Sequence, residues 1–256
     1  MLQVQSCLDN VSRIQLKMQQ IHPLYKRNYP LIIVKDDKGY IYDKNHKENY
    51  CFIKEFRFSI HVSDDIAACF CLDDYYNKFC CFMGYELLEK EIFPMLCLHE
   101  MVHCYQGVEV EEELKKKLMI YDEDSPMWEI DYKFNYDDEK FVELFGQYLY
   151  SLNNEDIKQV IYKRKILLEN LDKGDREFFI WQEWKEGFAR FLENRVREQV
   201  GMKQNIRGNR IPYSRISFYN SGDLFISHIY KHNPKLIQDI KTLFECMYEN
   251  ELPKYW

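Results

Sequence analysis

Leu96-Cys97-Leu98-His99-Glu100-Met101-Val102-His103-Cys104-Tyr105 is the stretch on which the reading of this chain turns. A helix turns once every 3.6 residues, so over this stretch His99 and His103 project from one face, one above the other, with Glu100 rotated to its edge. That spacing makes a two-point metal clamp with a carboxylate beside it. Two neutral imidazoles can hold Zn²⁺ while the Glu takes a proton from a water that the metal activates. Glu100 is the only acidic residue from Leu96 to Tyr105, and Lys and Arg are absent there, the text expected of a buried helix.

The bulk numbers set the frame. At 256 residues the chain can bury a substantial core, as one domain or two packed lobes. It is 46% hydrophobic and 16% aromatic, the composition of a folded protein. With 35 basic against 42 acidic residues, net −7, it argues against a nucleic acid or an anionic membrane as general partner, while leaving room for a local basic patch. No run approaches the roughly 18 apolar residues of a membrane span, and Met1 to Gln20 carries polar residues throughout instead of an apolar signal core, which predicts a cytoplasmic protein. Nine Cys read as reduced thiols rather than a disulfide framework. Cys69/Cys71 and Cys80/Cys81 lie in strand-like text and read as small core residues, with a thiolate metal site as the alternative. Cys97 and Cys104 flank the clamp, and core thiols or a redox role are the two readings.

In chain order, Leu8, Val11, Ile14 and Met18 predict an amphipathic opening helix within Met1 to Gln20. Leu31-Ile32-Ile33-Val34 and Tyr40-Ile41-Tyr42 flank the turn signal Asp36-Asp37-Lys38-Gly39 and predict a hairpin, followed by a charged loop from Asp43 to Asn49. Phe56 to Val62, Ala67 to Leu72 and Phe79 to Met83 read as three further strands, ended by Gly84. Pro94 suits the first turn of the clamp helix, which should stop near Gly107. A solvated helical face around Glu111 to Lys117 and a loop at Ser125-Pro126 precede helices at about Glu139 to Leu152 and Glu155 to Leu171. Later helices are expected to about Tyr230 after Gly222, and from Asn233-Pro234 to a stop at Pro253. The division is therefore a lobe of residues 1–107 with the sheet and a helical lobe of 108–256, in an α+β fold.

A catalytic zinc needs a third protein ligand and an open position for water. The best candidate stretch is Trp181-Gln182-Glu183-Trp184-Lys185-Glu186-Gly187-Phe188-Ala189, with Glu193 following two turns beyond Glu186. With H-E-x-x-H, the reading W-x-E-G-F-A resembles the Glu-zincin metallopeptidases, and Trp184, Glu186, Gly187, Phe188 and Ala189 match. The resemblance implies a zincin-like fold, Glu186 as third ligand to Zn²⁺ beside His99 and His103, and Glu193 as the acidic residue that orients a zinc His. Small Gly187 would let this helix approach the first. The residues themselves leave Glu183, Glu109, His228 and His232 open as ligands. Glu109 sits where the Met-turn peptidases place theirs, but Gln106 stands where those families need glycine. His103 and Glu186 lie roughly eighty residues apart, farther than in the aminopeptidase branch, and no Gly-x-Met-Glu-Asn string precedes the zinc helix.

A third segment, Phe218-Tyr219-Asn220-Ser221-Gly222, looks like the Tyr-x-x-Gly of many such peptidases, where the phenol donates to the oxyanion. Tyr219 is the choice for that role, with Tyr213, His228 and His232 in reserve, while His22, His46 and His61 read as ordinary residues. The resemblance implies a zinc metallopeptidase with Glu100 as general base and a peptide or protein as substrate. Two rivals stand beside it: hydrolysis of a non-peptide amide, and a protein-binding module with an idle zinc.

Overall fold

The computed structural model describes every residue except Met1, Lys47, Pro126 and residues 252–256, so the stop expected at Pro253 lies outside the described residues. The chain is α+β and forms two compact units. One comprises Met1–Glu109 with Leu192–Lys203, the other Val110–Phe191 with Gln204–Trp256. Among the described residues no helix is long and apolar enough to cross a membrane.

The first unit opens with helix α1 (Leu2–Met18), whose Leu8, Val11, Ile14 and Met18 form the buried stripe that the periodicity calls for. A mixed sheet follows in the order β3-β2-β1-β5-β4, with β1 (Leu31–Lys35), β2 (Lys38–Lys44), β3 (Tyr50–Arg57), β4 (Ala67–Leu72) and β5 (Lys78–Gly84). Strand β1 pairs antiparallel with β2 and parallel with β5. Asp36 and Asp37 both take φ above +50° in the β1–β2 turn, the left-handed pair that matches the twist of a two-residue hairpin. Central β1 is buried on both faces. Ile32, Val34, Ile41, Cys80 and Phe82 form one core layer, against which Phe56, Phe58, Val62 and Ile66 pack.

The strand expected over Phe56 to Val62 is displaced: β3 runs from Tyr50 to Arg57, and residues 58–66 cross that core layer as coil. Tyr50 anchors the true strand, burying its ring and donating from its hydroxyl to the Tyr29 carbonyl at 3.1 Å. Asp37 anchors the coil, accepting from the Val62 amide at 3.1 Å and meeting His61 Nδ1 at 2.9 Å. Of the alternating apolar residues, Phe56, Phe58 and Val62 are partly buried against that core layer, while Ile60 is exposed.

On the opposite sheet face lies α2 (Phe93–Gln106), with Pro94 in its first turn. Its Cys104 Sγ lies 3.3 Å from Cys69 Sγ and 3.5 Å from Cys81 Sγ. Helix α2 ends at Gln106, beside the expected Gly107, but the helical path does not break there. Gly107 keeps helical φ, and the chain continues through a π turn, Gly107–Glu111, into α3 (Glu112–Lys115). Glycine is needed for space instead: an added Cβ would stand 2.4 Å from the Phe79 ring.

The second unit is helical: α3, α4 (Trp128–Asp131), α5 (Glu139–Asn154), α6 (Ile157–Glu169), most of α7 (Lys173–Gln199), α8 (Arg215–His232) and α9 (Ile240–Glu249). Asp138 and Asp156 cap α5 and α6 through their carboxylates, each accepting from backbone amides of the first turn. Helix α8 begins at Arg215, before the start expected after Gly222, because Ser214 and Ser217 close a capping box. Helix α9 begins later than Asn233-Pro234, at Ile240, where Asp239 accepts from the Thr242 amide at 3.0 Å.

Candidate metal centre

Helix α2 sets the two imidazoles in register, and their outer nitrogens fix how the rings are used. His103 Nδ1 meets Gln106 Oε1 at 2.9 Å, and His99 Nδ1 meets Glu193 Oε2 at 3.2 Å. With each Nδ1–H donated to an oxygen, the lone pair of each ring is on Nε2, the tautomer a metal requires. The two Nε2 atoms face each other at 3.2 Å. Zn–N bonds of about 2.05 Å meeting at a tetrahedral angle place two ligand nitrogens about 3.3 Å apart, so the pair is spaced for one shared ion. His103 is 8% exposed and Glu100, between them in sequence, 6%.

Glu193 is itself held. Its Oε1 accepts from Arg197 Nε at 2.7 Å while Oε2 serves His99, so the carboxylate is clamped from both sides in a site where it is 3% exposed. Glu186 stands two turns earlier on the same continuous helix, and one face of α7 therefore carries both carboxylates. Ligand atoms of His99, His103 and Glu186 all lie within 4.8 Å of one another. Two imidazoles and one carboxylate are a donor set that could hold a metal ion, Zn²⁺ being one of the ions such ligands suit.

The rival ligands are engaged elsewhere. Glu109 Oε1 pairs with Arg27 Nη1 at 2.6 Å. Glu183 is fully buried against Arg164, whose Nε and Nη2 reach its Oε2 at 3.0 and 2.9 Å. Burial raises the Glu183 pKa and Arg164 draws it back, which makes the pair a structural charge couple. His228 Nε2 meets the Leu152 carbonyl oxygen at 2.8 Å, and His232 is an exposed residue near the end of α8.

The residues on either side of Glu186 are held in place. Lys185 Nζ bridges Glu129 at 2.6 Å and Glu111 at 2.9 Å; burial works against its charge, but the two carboxylates hold its pKa above the usual lysine value. Gly187 admits a close helix crossing with α8. A Cβ there would stand 2.5 Å from Gly222 Cα, and one on Gly222 would come 2.8 Å from Gly187 Cα, so α7 and α8 meet backbone to backbone. Tyr219 lies three residues before Gly222. Burial and the nearby Glu186 carboxylate push its phenol pKa up, against a downward pull from Arg215 and Arg190, so the group stays protonated at neutral pH and can donate a hydrogen bond. Tyr213, the reserve, packs its ring against Phe145 at 4.8 Å.

Gln106 and Arg197 were not singled out in the sequence. A signal existed for Gln106, three residues after His103 on the same helix, where its side chain can reach the ring. Arg197 is the i+4 partner of Glu193. His22, set aside as ordinary, caps a short turn by accepting from the Leu24 amide at 3.1 Å. Against known protein families, curated proteins and solved structures, the chain matches none.

Proposed function

We propose that this chain is a zinc-dependent metallopeptidase of zincin-like fold, and the observation that carries the reading is the convergence of His99 Nε2, His103 Nε2 and the Glu186 carboxylate with both Nδ1 atoms already committed. When bound, zinc supplies a Lewis acid and brings the pKa of its water towards neutrality. The protein does the rest. Glu100, buried at the edge of the clamp face, accepts a proton and delivers it to the leaving amine. Tyr219, kept protonated, donates to the carbonyl oxygen as negative charge develops on it. Glu193 holds the His99 ring, Gln106 the His103 ring, and Arg197 holds Glu193. Nine free thiols are in keeping with the reducing cytoplasm as its place of action.

Metal analysis of purified protein, paired with cleavage of a mixed peptide pool, tests this reading. Wild type should hold about one zinc per chain and cleave, Glu186→Ala should lose the zinc, and Glu100→Gln should keep it without cleaving. Zinc retained in full by Glu186→Ala, or cleavage by Glu100→Gln, overturns the assignment.

A further inference from the structure

Between Glu198 and Asp223 this acidic chain has no carboxylate side chain, while Lys203, Arg207, Arg210 and Arg215 all fall there. Three large aliphatic residues of the same stretch are exposed: Ile206 at 58%, Ile211 at 67% and Ile216 at 42%. The segment is tied to the phenol already given a role. Arg190 Nη1 donates to the Asn205 carbonyl at 3.2 Å while its guanidinium lies 5.7 Å from the centroid of the Tyr219 ring. Arg215 lies 5.8 Å from the same centroid, one turn before Tyr219 on α8. Gly208, with φ +96°, presses its backbone on the first turn of α8, where a Cβ would stand 2.4 Å from the Ile216 carbonyl oxygen. The result is a strap that alternates aliphatic and cationic side chains beside Tyr219. Among the described residues none forms an ion pair with Arg207, Arg210 or Arg215.

We propose that this strap is the specificity surface of the enzyme and that its substrate is an acidic peptide, with Arg207, Arg210 and Arg215 meeting carboxylates while Ile206, Ile211 and Ile216 take apolar side chains. The inference rests on the peptidase reading, which makes the occupant a peptide. Charge complementarity argues for acid: guanidiniums grip carboxylates in a planar fork, and a positive strap on a net-negative protein attracts an anionic chain to this side of Tyr219. The interleaved isoleucines favour a peptide of mixed acidic and aliphatic residues over a nucleic-acid backbone, which would call for stacking aromatics.

The test uses zinc-loaded Glu100→Gln protein and fluorescence anisotropy with three probes: a labelled Glu/Leu decapeptide, its Lys/Leu counterpart, and a single-stranded oligonucleotide of matched charge. The Glu/Leu peptide should bind at least about tenfold more tightly than the other two at low salt, with the margin narrowing as salt screens the pairs. Arg207→Gln with Arg210→Gln, and separately Arg215→Gln, should each remove most of that margin, and Ile211→Asn should weaken binding without altering the salt dependence. Equal binding of the two peptides, no effect of the Arg substitutions, or oligonucleotide binding as tight as the acidic peptide overturns the proposal. Wild-type cleavage of mixed peptides without acidic preference would sink the strap and spare the peptidase. Arg-dependent binding of an acidic peptide that wild type leaves uncut would do the reverse.

Discussion

Replacing Gly187 by Ala should destabilise the protein, against the ordinary gain of Ala over Gly in a helix. The new Cβ would stand 2.5 Å from Gly222 Cα, 2.8 Å from Gly222 C and 3.1 Å from Asp223 N. Carbon pairs prefer about 3.5–4.0 Å, so α7 and α8 would have to part by about 1 Å, and no flexible side chain is there to yield instead. Overpacking of this kind costs about 1–3 kcal/mol, and a backbone-to-backbone clash belongs at the upper end. Helix propensity returns about 1 kcal/mol, for a net loss of about 2 kcal/mol. That corresponds to a fall in Tm of about 4–8 °C for a chain near this size. Gly146→Ala is the control, because its nearest neighbour beyond the helix is the Tyr213 hydroxyl at 3.4 Å, and it should gain up to about 1 kcal/mol. Urea unfolding of both variants reads the difference, and a zinc competition titration should show weaker binding in Gly187→Ala alone, since Glu186 and Tyr219 flank the crossing. If Gly187→Ala proves as stabilising as Gly146→Ala, the close crossing is not there and the positioning argument for Glu186 goes with it.

Two further outcomes follow from charge. Glu193→Gln should weaken zinc binding about 10- to 100-fold, as the loss of a carboxylate behind a ligating His does, and a chelator competition assay would show it; unchanged affinity would mean that the 3.2 Å contact with His99 does not orient the ring. Arg164→Met leaves Glu183 buried without its cation and should cost about 3–5 kcal/mol near neutral pH. The pH dependence carries a sign: the folded-state pKa of Glu183 is already raised by burial, and removing Arg164 raises it further. A carboxyl group that binds its proton more tightly folded than unfolded favours the fold at low pH, so the variant should recover part of its loss as pH falls through that raised value. Stability that instead declines more steeply than wild type on acidification would refute the assignment.

Local patterns carried much of the fold in the sequence. Apolar stripes marked α1 and α5, and the apolar runs around Asp36-Asp37 and Asp73-Asp74 marked four of the five strands at nearly their observed bounds. Strand β3 was misplaced because alternation reports apolar side chains on one face, not backbone pairing, and Phe58 and Val62 are partly buried against the sheet core by coil. Gly107 and Gly187 were legible as special positions but not as to what they make room for, since the Phe79 ring and Gly222 are distant in sequence. The start of α8 was hidden because Ser214 and Ser217 form a cap without the acidic residue that usually announces one. At the centre, His99 and His103 were readable from their four-residue spacing alone. Glu193 was read from its place two turns beyond Glu186, whereas the contact of Arg197 with it, and the Asn205 and Gly208 contacts of the basic strap, appear only in the fold.

Two acidic residues on adjacent turns of α7 should then behave in opposite ways, which distinguishes a structural carboxylate from a ligand. Glu183 is fully buried and its charge is matched by Arg164, with both side chains 0% exposed, so its loss strands a buried guanidinium. Glu186 is only half-buried and groups with the two imidazoles. Measured in chelator, with no metal to bind, Glu186→Ala should therefore change stability by no more than about 1 kcal/mol, whereas Glu183→Ala should cost about 3–5 kcal/mol. Adding zinc should reverse the ranking of what is gained. Wild type and Glu183→Ala, where folded, should each be stabilised by about 2.7 kcal/mol at a zinc concentration a hundredfold above its Kd, and Glu186→Ala by much less at the same concentration. The comparison separates the two roles because stability without metal reads only the protein's own contacts, and the zinc increment reads only the ligand. A large loss for Glu186→Ala in chelator, with the zinc increment intact, would make Glu186 a second structural partner within α7 and send the search for the third ligand elsewhere.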